Sequence, residues 1–159
     1  MCASGEVGVS GKDIYKGYAL QQIDAKGRVA IPAFLRDTLT ACNTRFDDKD
    51  SASIILAMHE TDPCLIGYDD SRLLAELSQR ARTHAGNDGA PKSLILREAM
   101  LSDTVPFDAS GRFIMPPFYR EELELRRYAF FMGLGDYFEI WDPGKLVDCA
   151  TAAPKMKSV

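Results

Sequence analysis

Paired cysteines, clustered histidines and an excess of one charge are all missing from this chain, and each absence removes a class of function. It holds two histidines, His59 and His84. His59 stands with Glu60 and Cys64, but one histidine without a second His or Cys at ligand spacing reads as a loop residue, and His84 reads the same way. No metal and no cofactor are expected. Cys2, Cys42, Cys64 and Cys149 are scattered with no Cys-x-x-Cys pair, and the N-terminus has no apolar signal-peptide core. The expectation is a reducing cytoplasm and a fold that needs no staples. The longest apolar runs, Ile54 to Met58 and Tyr128 to Leu134, fall far below the ~18 residues that cross a bilayer, so they read as buried strands and no membrane segment is expected. With a net charge of −4 and a pI near 5.2, the chain has no bulk charge for nucleic acid. Such binding would need a local basic surface, which the arrangement of charges can supply whatever their sum.

What the sequence does contain is a repeat. Asp24 to Pro32 reads Asp-Ala-Lys-Gly-Arg-Val-Ala-Ile-Pro, and Asp108 to Pro116 reads Asp-Ala-Ser-Gly-Arg-Phe-Ile-Met-Pro, an offset of 84 (108 minus 24). A repeat fixes the architecture before any local reading. Asp24 and Asp108 can accept backbone N–H bonds, and Gly27 and Gly111 can take the positive φ of a tight turn. Val29 and Ile31 then point to one face of a strand, with Arg28 and Ala30 on the other. Pro32 and Pro116 end the strand and suit the first turn of a helix carrying Phe34, Leu35, Arg36 and Leu39 in one copy and Phe118, Arg120 and Leu123 in the other.

The rest of the chain follows the same plan. Ile54 to Met58 and Cys64 to Tyr68 form a second hairpin around Thr61-Asp62-Pro63, matched by Tyr128 to Met132 and Tyr137 to Trp141 around Gly133 to Asp136. Gly133-Leu134-Gly135 between two strands is a hairpin turn and not a phosphate loop. Tyr68-Asp69 and Trp141-Asp142 correspond, which places an insertion in the polar loop before Ser53. Ser71 is the expected N-cap of a helix with Leu73, Leu74, Leu77 and Ala81 on one face, and Pro91 can open another with Leu94, Ile95, Ala99 and Met100. Phe130, Phe131, Phe138 and Trp141 are expected in the core, and Arg36, Arg45, Arg120, Arg126 and Arg127 on solvated helix surface or in subunit salt bridges.

These residues resemble the MraZ family of bacterial regulators. The likeness runs from about Tyr15 to Lys145 and rests on Tyr15-Lys16-Gly17, the two Asp-x-x-x-Arg motifs, Pro63-Cys64-Leu65 and Phe138-Glu139-Ile140-Trp141. The resemblance implies an α+β fold: a double swapped-hairpin, AbrB-like β-barrel with flanking helices and an internal pseudo-twofold repeat. The expected division is a flexible N-terminal extension over 1–13, a first AbrB-like repeat with its helix over 14–83, a linker over 84–92, a second repeat with its helices over 93–153, and a tail over 154–159.

It also implies a transcription regulator, cytoplasmic and nucleoid-associated. Such a protein binds double-stranded DNA at repeated boxes in its own promoter, at the head of the division and cell-wall gene cluster. A homo-oligomeric ring of eight or twelve subunits goes with it. Arg28 and Arg112 map to the motif arginines, with Lys26 and Ser110 at the turn tips. Guanidinium chemistry agrees, since it can grip phosphate oxygens or the two major-groove acceptors of guanine. A blander use and a rival one compete. The arginines could simply pair with Asp24 and Asp108, and the two turns could form a carboxylate dyad of the aspartic-protease kind. An arginine beside each carboxylate opposes a shared proton, so no catalytic residues are expected and the protein is not read as an enzyme. An antitoxin-type AbrB module and a scaffold ring that does not bind DNA are the alternatives in function.

Overall fold

Four of the six strand pairings among the described residues join the two halves of the chain, and this decides where the repeated motifs sit. The computed structural model describes residues 14–43, 52–84, 100–149 and 154–158. The expected N-terminal extension, the polar loop over 44–51, most of the linker and the helix opened by Pro91 lie outside the described residues. In order, the elements are β1 (Tyr18–Gln22), β2 (Arg28–Ala30), α1 (Ala33–Cys42), β3 (Ser53–Met58), β4 (Leu65–Tyr68), α2 (Asp70–His84), β5 (Ser102–Pro106), β6 (Arg112–Ile114), α3 (Pro117–Glu122), β7 (Tyr128–Gly133), β8 (Phe138–Trp141), α4 (Pro143–Asp148) and α5 (Pro154–Ser158).

Six strands form one antiparallel sheet in the order β1-β7-β8-β4-β3-β5, and β2 and β6 form a separate two-stranded ribbon. The ladder is thus divided between two sheets and does not run continuously as the expected barrel. The order is unchanged when read from the far edge with each strand replaced by its counterpart in the other half. Registers obey the same symmetry. In the ribbon Val29 faces its repeat counterpart Phe113, and in the sheet Ile66 faces Glu139 with Leu65 on Ile140 and Gly67 on Phe138. Among the described residues the first half alone holds one strand pair, β3 with β4, and the second half one, β7 with β8.

The core lies between these sheets and the helices, built from Val29, Ile31, Leu35 and Leu39 of the first motif region, Phe113, Met115, Tyr119 and Leu123 of the second, and the sheet residues Ile54, Leu56, Leu65, Phe131, Phe138 and Ile140. Apolar side chains at alternate strand positions and at helical spacing force these elements together, since leaving them in water costs about 25 cal/mol per Å². Trp141 and Phe130 form a smaller cluster with Cys64 and Leu146. The four aromatics expected in the core are all buried.

Three expectations are corrected. The residue that caps α2 is Asp69 and not Ser71: the Asp69 carboxylate accepts the Arg72 backbone N–H at 3.2 Å and the Ser71 hydroxyl. The carboxylate is the stronger acceptor, and Asp142 holds the Lys145 N–H at 3.2 Å in the same way at α4. The C-terminal residues expected as a loose tail include one helical turn, α5, opened by Pro154 and closed near Lys155 and Lys157, which suit the negative end of the turn. Cys42 is disulfide-bonded, against the expectation of a chain without staples, whereas Cys64 and Cys149 take no part in a disulfide.

Candidate nucleic-acid interface

Each repeated motif builds a turn around one carboxylate. Asp24 Oδ1 accepts the backbone N–H groups of Lys26 and Arg28, both at 2.9 Å, and its carbonyl accepts the Gly27 N–H at 3.0 Å. Asp108 does the same for Ser110 and Arg112 at 2.9 Å each, with Gly111 on its carbonyl at 2.8 Å. The chain can close this tightly because Gly27 has φ +82° and Gly111 φ +78°, the left-handed region where a Cβ is costly. Donated hydrogen bonds favour the ionised carboxylate. The backbone N–H of Arg28 and then its guanidinium hold Asp24 below the ordinary carboxyl value of 3.8, and the backbone N–H of Arg112 leads the same effect at Asp108.

The second oxygen of each aspartate takes the arginine. Arg28 Nε lies 2.7 Å from Asp24 Oδ2 and Arg112 Nε 3.1 Å from Asp108 Oδ2, with the arginine side chains about half exposed (45% and 54%). The pairing expected as the bland alternative is therefore present. It is made through Nε, so the end-on Nη edge of each guanidinium is unused by its aspartate. Both carboxylates are committed to their own turns, so neither is a partner for the other in a dyad.

The ribbon brings the two arginines together. Arg28 faces Ile114 and Arg112 faces Ala30, with Val29 and Phe113 between them. Val29 and Phe113 point into the core, so Arg28, Ala30, Arg112 and Ile114 share the outer face. The arginines are diagonal neighbours there, with backbones ~7–8 Å apart. Two further bonds lengthen the ribbon, Ile31 N–H to the Gly111 carbonyl at 2.8 Å and Met115 N–H to the Gly27 carbonyl at 2.9 Å, so each turn is tied to the other half of the chain. Lys26 and Ser110 stand exposed at the tips, a cation on one and a neutral hydroxyl on the other.

Arg36 and Arg120 were expected on solvated surface or in subunit salt bridges; both instead lie against the motif turns. A Cβ built on Gly27 would come within 2.7 Å of Arg120 Nη1, and one built on Gly111 within 2.6 Å of Arg36 Nη1. Each helix arginine thus sits on the turn of the opposite half. The sequence showed only that the two arginines are counterparts, since the offset relating the two glycines also relates Arg36 to Arg120.

The other candidates are structural. His59 Nδ1 accepts the backbone N–H groups of Thr61 at 3.2 Å and Asp62 at 3.0 Å, which shapes the β3–β4 turn. Gly135, at φ +89°, closes the β7–β8 hairpin, with the Leu134 N–H on the Tyr137 carbonyl at 2.8 Å. A hollow of about 360 Å³ lined by His59, Tyr68, Arg72 and Tyr137 among others includes none of the repeated-motif residues.

Comparison with known proteins matches residues 99–148 to the family model described as "MraZ protein, putative antitoxin-like", a span that includes the second motif. The chain is 31% identical over 129 residues to a protein of Saccharophagus degradans named transcriptional regulator MraZ, covering 80% of this chain and 82% of that one. It is 30% identical over 132 residues to the protein of that name from Pseudomonas fluorescens Pf0-1, covering 81% and 80%. For the one from a Ruegeria species the identity is 27% over 131 residues, covering 81% and 77%.

Proposed function

The chain belongs to the MraZ family of transcriptional regulators, which is not a family of enzymes, and from that premise we propose that it acts by binding duplex DNA through the paired tips of its β2–β6 ribbon. The observation that carries this reading is the diagonal placement of Arg28 and Arg112 on one exposed ribbon face, each aimed by an aspartate. A two-stranded ribbon fits the major groove, which is about 12 Å wide. There the free guanidinium edge can take the O6 and N7 acceptors of guanine or a phosphate. Asp24 and Asp108 fix the direction of the arginines and remove part of the rotamer freedom that binding would otherwise cost.

In this reading the chain is two AbrB-like swapped-hairpin repeats, 14–83 and 93–153, and several copies form a ring of eight or twelve that engages repeated boxes upstream of its own gene, in the division and cell-wall cluster. It works in the cytoplasm at the nucleoid. Lys26, Arg28, Ser110 and Arg112 make the contacts; Asp24, Gly27, Asp108 and Gly111 hold them. The antitoxin-like description of the matching family model favours a second reading, a module that neutralises a partner protein.

The test is a mobility-shift titration with the duplex upstream of the chain's own gene against a scrambled duplex. Wild type should prefer the upstream duplex. Arg28→Ala with Arg112→Ala should weaken that binding by about 5- to 150-fold per lost bidentate contact, while the oligomer and the melting temperature stay as they were. Equal affinity of wild type and the double variant would refute the assignment of the tips.

A further inference from the structure

We propose that Arg36 and Arg120 are phosphate contacts that complete the two tips crosswise: Arg120 of α3 acts with the Arg28 tip, and Arg36 of α1 with the Arg112 tip. This rests on the DNA reading above and adds a second cation to each tip, supplied by the other half of the chain.

Two independent observations point to a ligand. The first is position. Arg120 Nη1 lies where a Cβ on Gly27 would come within 2.7 Å of it, and Arg36 Nη1 where a Cβ on Gly111 would come within 2.6 Å. Each guanidinium can settle on the turn only because a glycine is beneath it, so these glycines answer two demands, positive φ and the seat of an arginine. The second is an open bond. Arg120 Nε is buried and has no hydrogen-bond partner among the described residues. Nor does Arg36 or Arg120 form an ion pair there, in contrast to Arg28 and Arg112, which are held by their aspartates. That Nε is enclosed and cannot itself receive an anion, but neither guanidinium has an acceptor among the described residues, and an incoming anion would supply one to the outer N–H groups.

The anion is a DNA phosphate by position. In a groove-binding ribbon the outer face meets base edges while the flanks meet the sugar–phosphate backbone. Arg28 and Arg112 occupy the face; Arg36 and Arg120 project from helices onto the turns at its ends. A phosphate oxygen there would accept from the unpaired guanidinium with full charge complementarity. The crosswise arrangement follows from the topology, because each motif leads into a helix that packs on the partner motif's turn. The sequence positions 27 and 120, and 111 and 36, therefore behave as pairs.

The experiment measures affinity for the upstream duplex at a series of salt concentrations for wild type, Arg36→Gln, Arg120→Gln and the matching Lys variants. Each Gln variant should bind more weakly, with the slope of log K against log salt shallower by about 0.9 for every copy of the tip engaged on the duplex, and each Lys variant should restore the slope. Combined with Arg28→Ala, Arg120→Gln should be non-additive and Arg36→Gln additive; with Arg112→Ala the pattern should reverse. An unchanged slope, or coupling within a half instead of across halves, overturns the inference while leaving the DNA reading in place. A wild-type protein that prefers no duplex overturns the DNA reading and this inference with it. Melting curves identify a variant that fails to fold, and the arginine at the equivalent place in the other half then decides by the same slope.

Discussion

Asp24 uses one carboxylate for two tasks, Oδ1 for the turn and Oδ2 for the arginine, and Asp108 repeats this. Because folding lowers both carboxyl pKa values below 3.8, their contribution to the turns is fully present above that pH. It is lost as the pH falls through the lower folded values. On acid titration, the amide resonances of Lys26, Arg28, Ser110 and Arg112 should therefore hold position down to the ordinary carboxyl range and move only below it. Asp24→Asn should abolish the movement at Lys26 and Arg28 while sparing Ser110 and Arg112. Movement in the neutral range, or in all four after the single substitution, would show that the turns are held by something else. At this scale much was legible: Asp-x-x-Gly-Arg dictates its own turn by local bonds. The seats of Arg36 and Arg120 were not, because a helix side chain reaching the other half is a consequence of tertiary packing that no local pattern records.

Elements that look like local hairpins pair across the chain. β1 pairs with β7, β2 with β6, β3 with β5 and β4 with β8. Residues 14–83 alone would keep one ladder, β3 with β4, and would leave β1 and β2 without partners. The first half expressed alone should therefore show no cooperative melting as a monomer by circular dichroism, and mixing with the second half should restore it. A monomeric first half with a sharp transition would contradict the strand pairing. Apolar runs and the turns between them showed strands β3, β4, β7 and β8 in the sequence, but β5 was missed. Its Ser102-Asp103-Thr104 run is polar because the strand lies on a sheet edge, mostly exposed and paired on one side with β3. The cap of α2 was placed two residues late for a similar reason: Ser71 looks like a cap, but Asp69 is completely buried, with the Tyr15 hydroxyl at 2.6 Å on its other oxygen, and so is held at the helix start.

As a whole molecule, a chain of net charge −4 gathers four arginines around one ribbon. A single copy still offers few cations, so affinity at physiological salt requires several copies to engage together, which makes later contacts intramolecular. The two motif copies made the repeat legible, and the family resemblance the regulator role. The resemblance implied a pseudo-twofold, but not the order of the strands in the sheet, since that depends on which edges meet once the core closes. The most direct measurement is the affinity of the wild-type assembly, at one salt concentration, for three duplexes: one box, two boxes in phase, and two boxes shifted by about half of the ~10 bp helical repeat. The account predicts tight binding to the in-phase pair and much weaker binding to the other two. Equal affinity for all three would contradict it, because one ribbon would then contain a complete site.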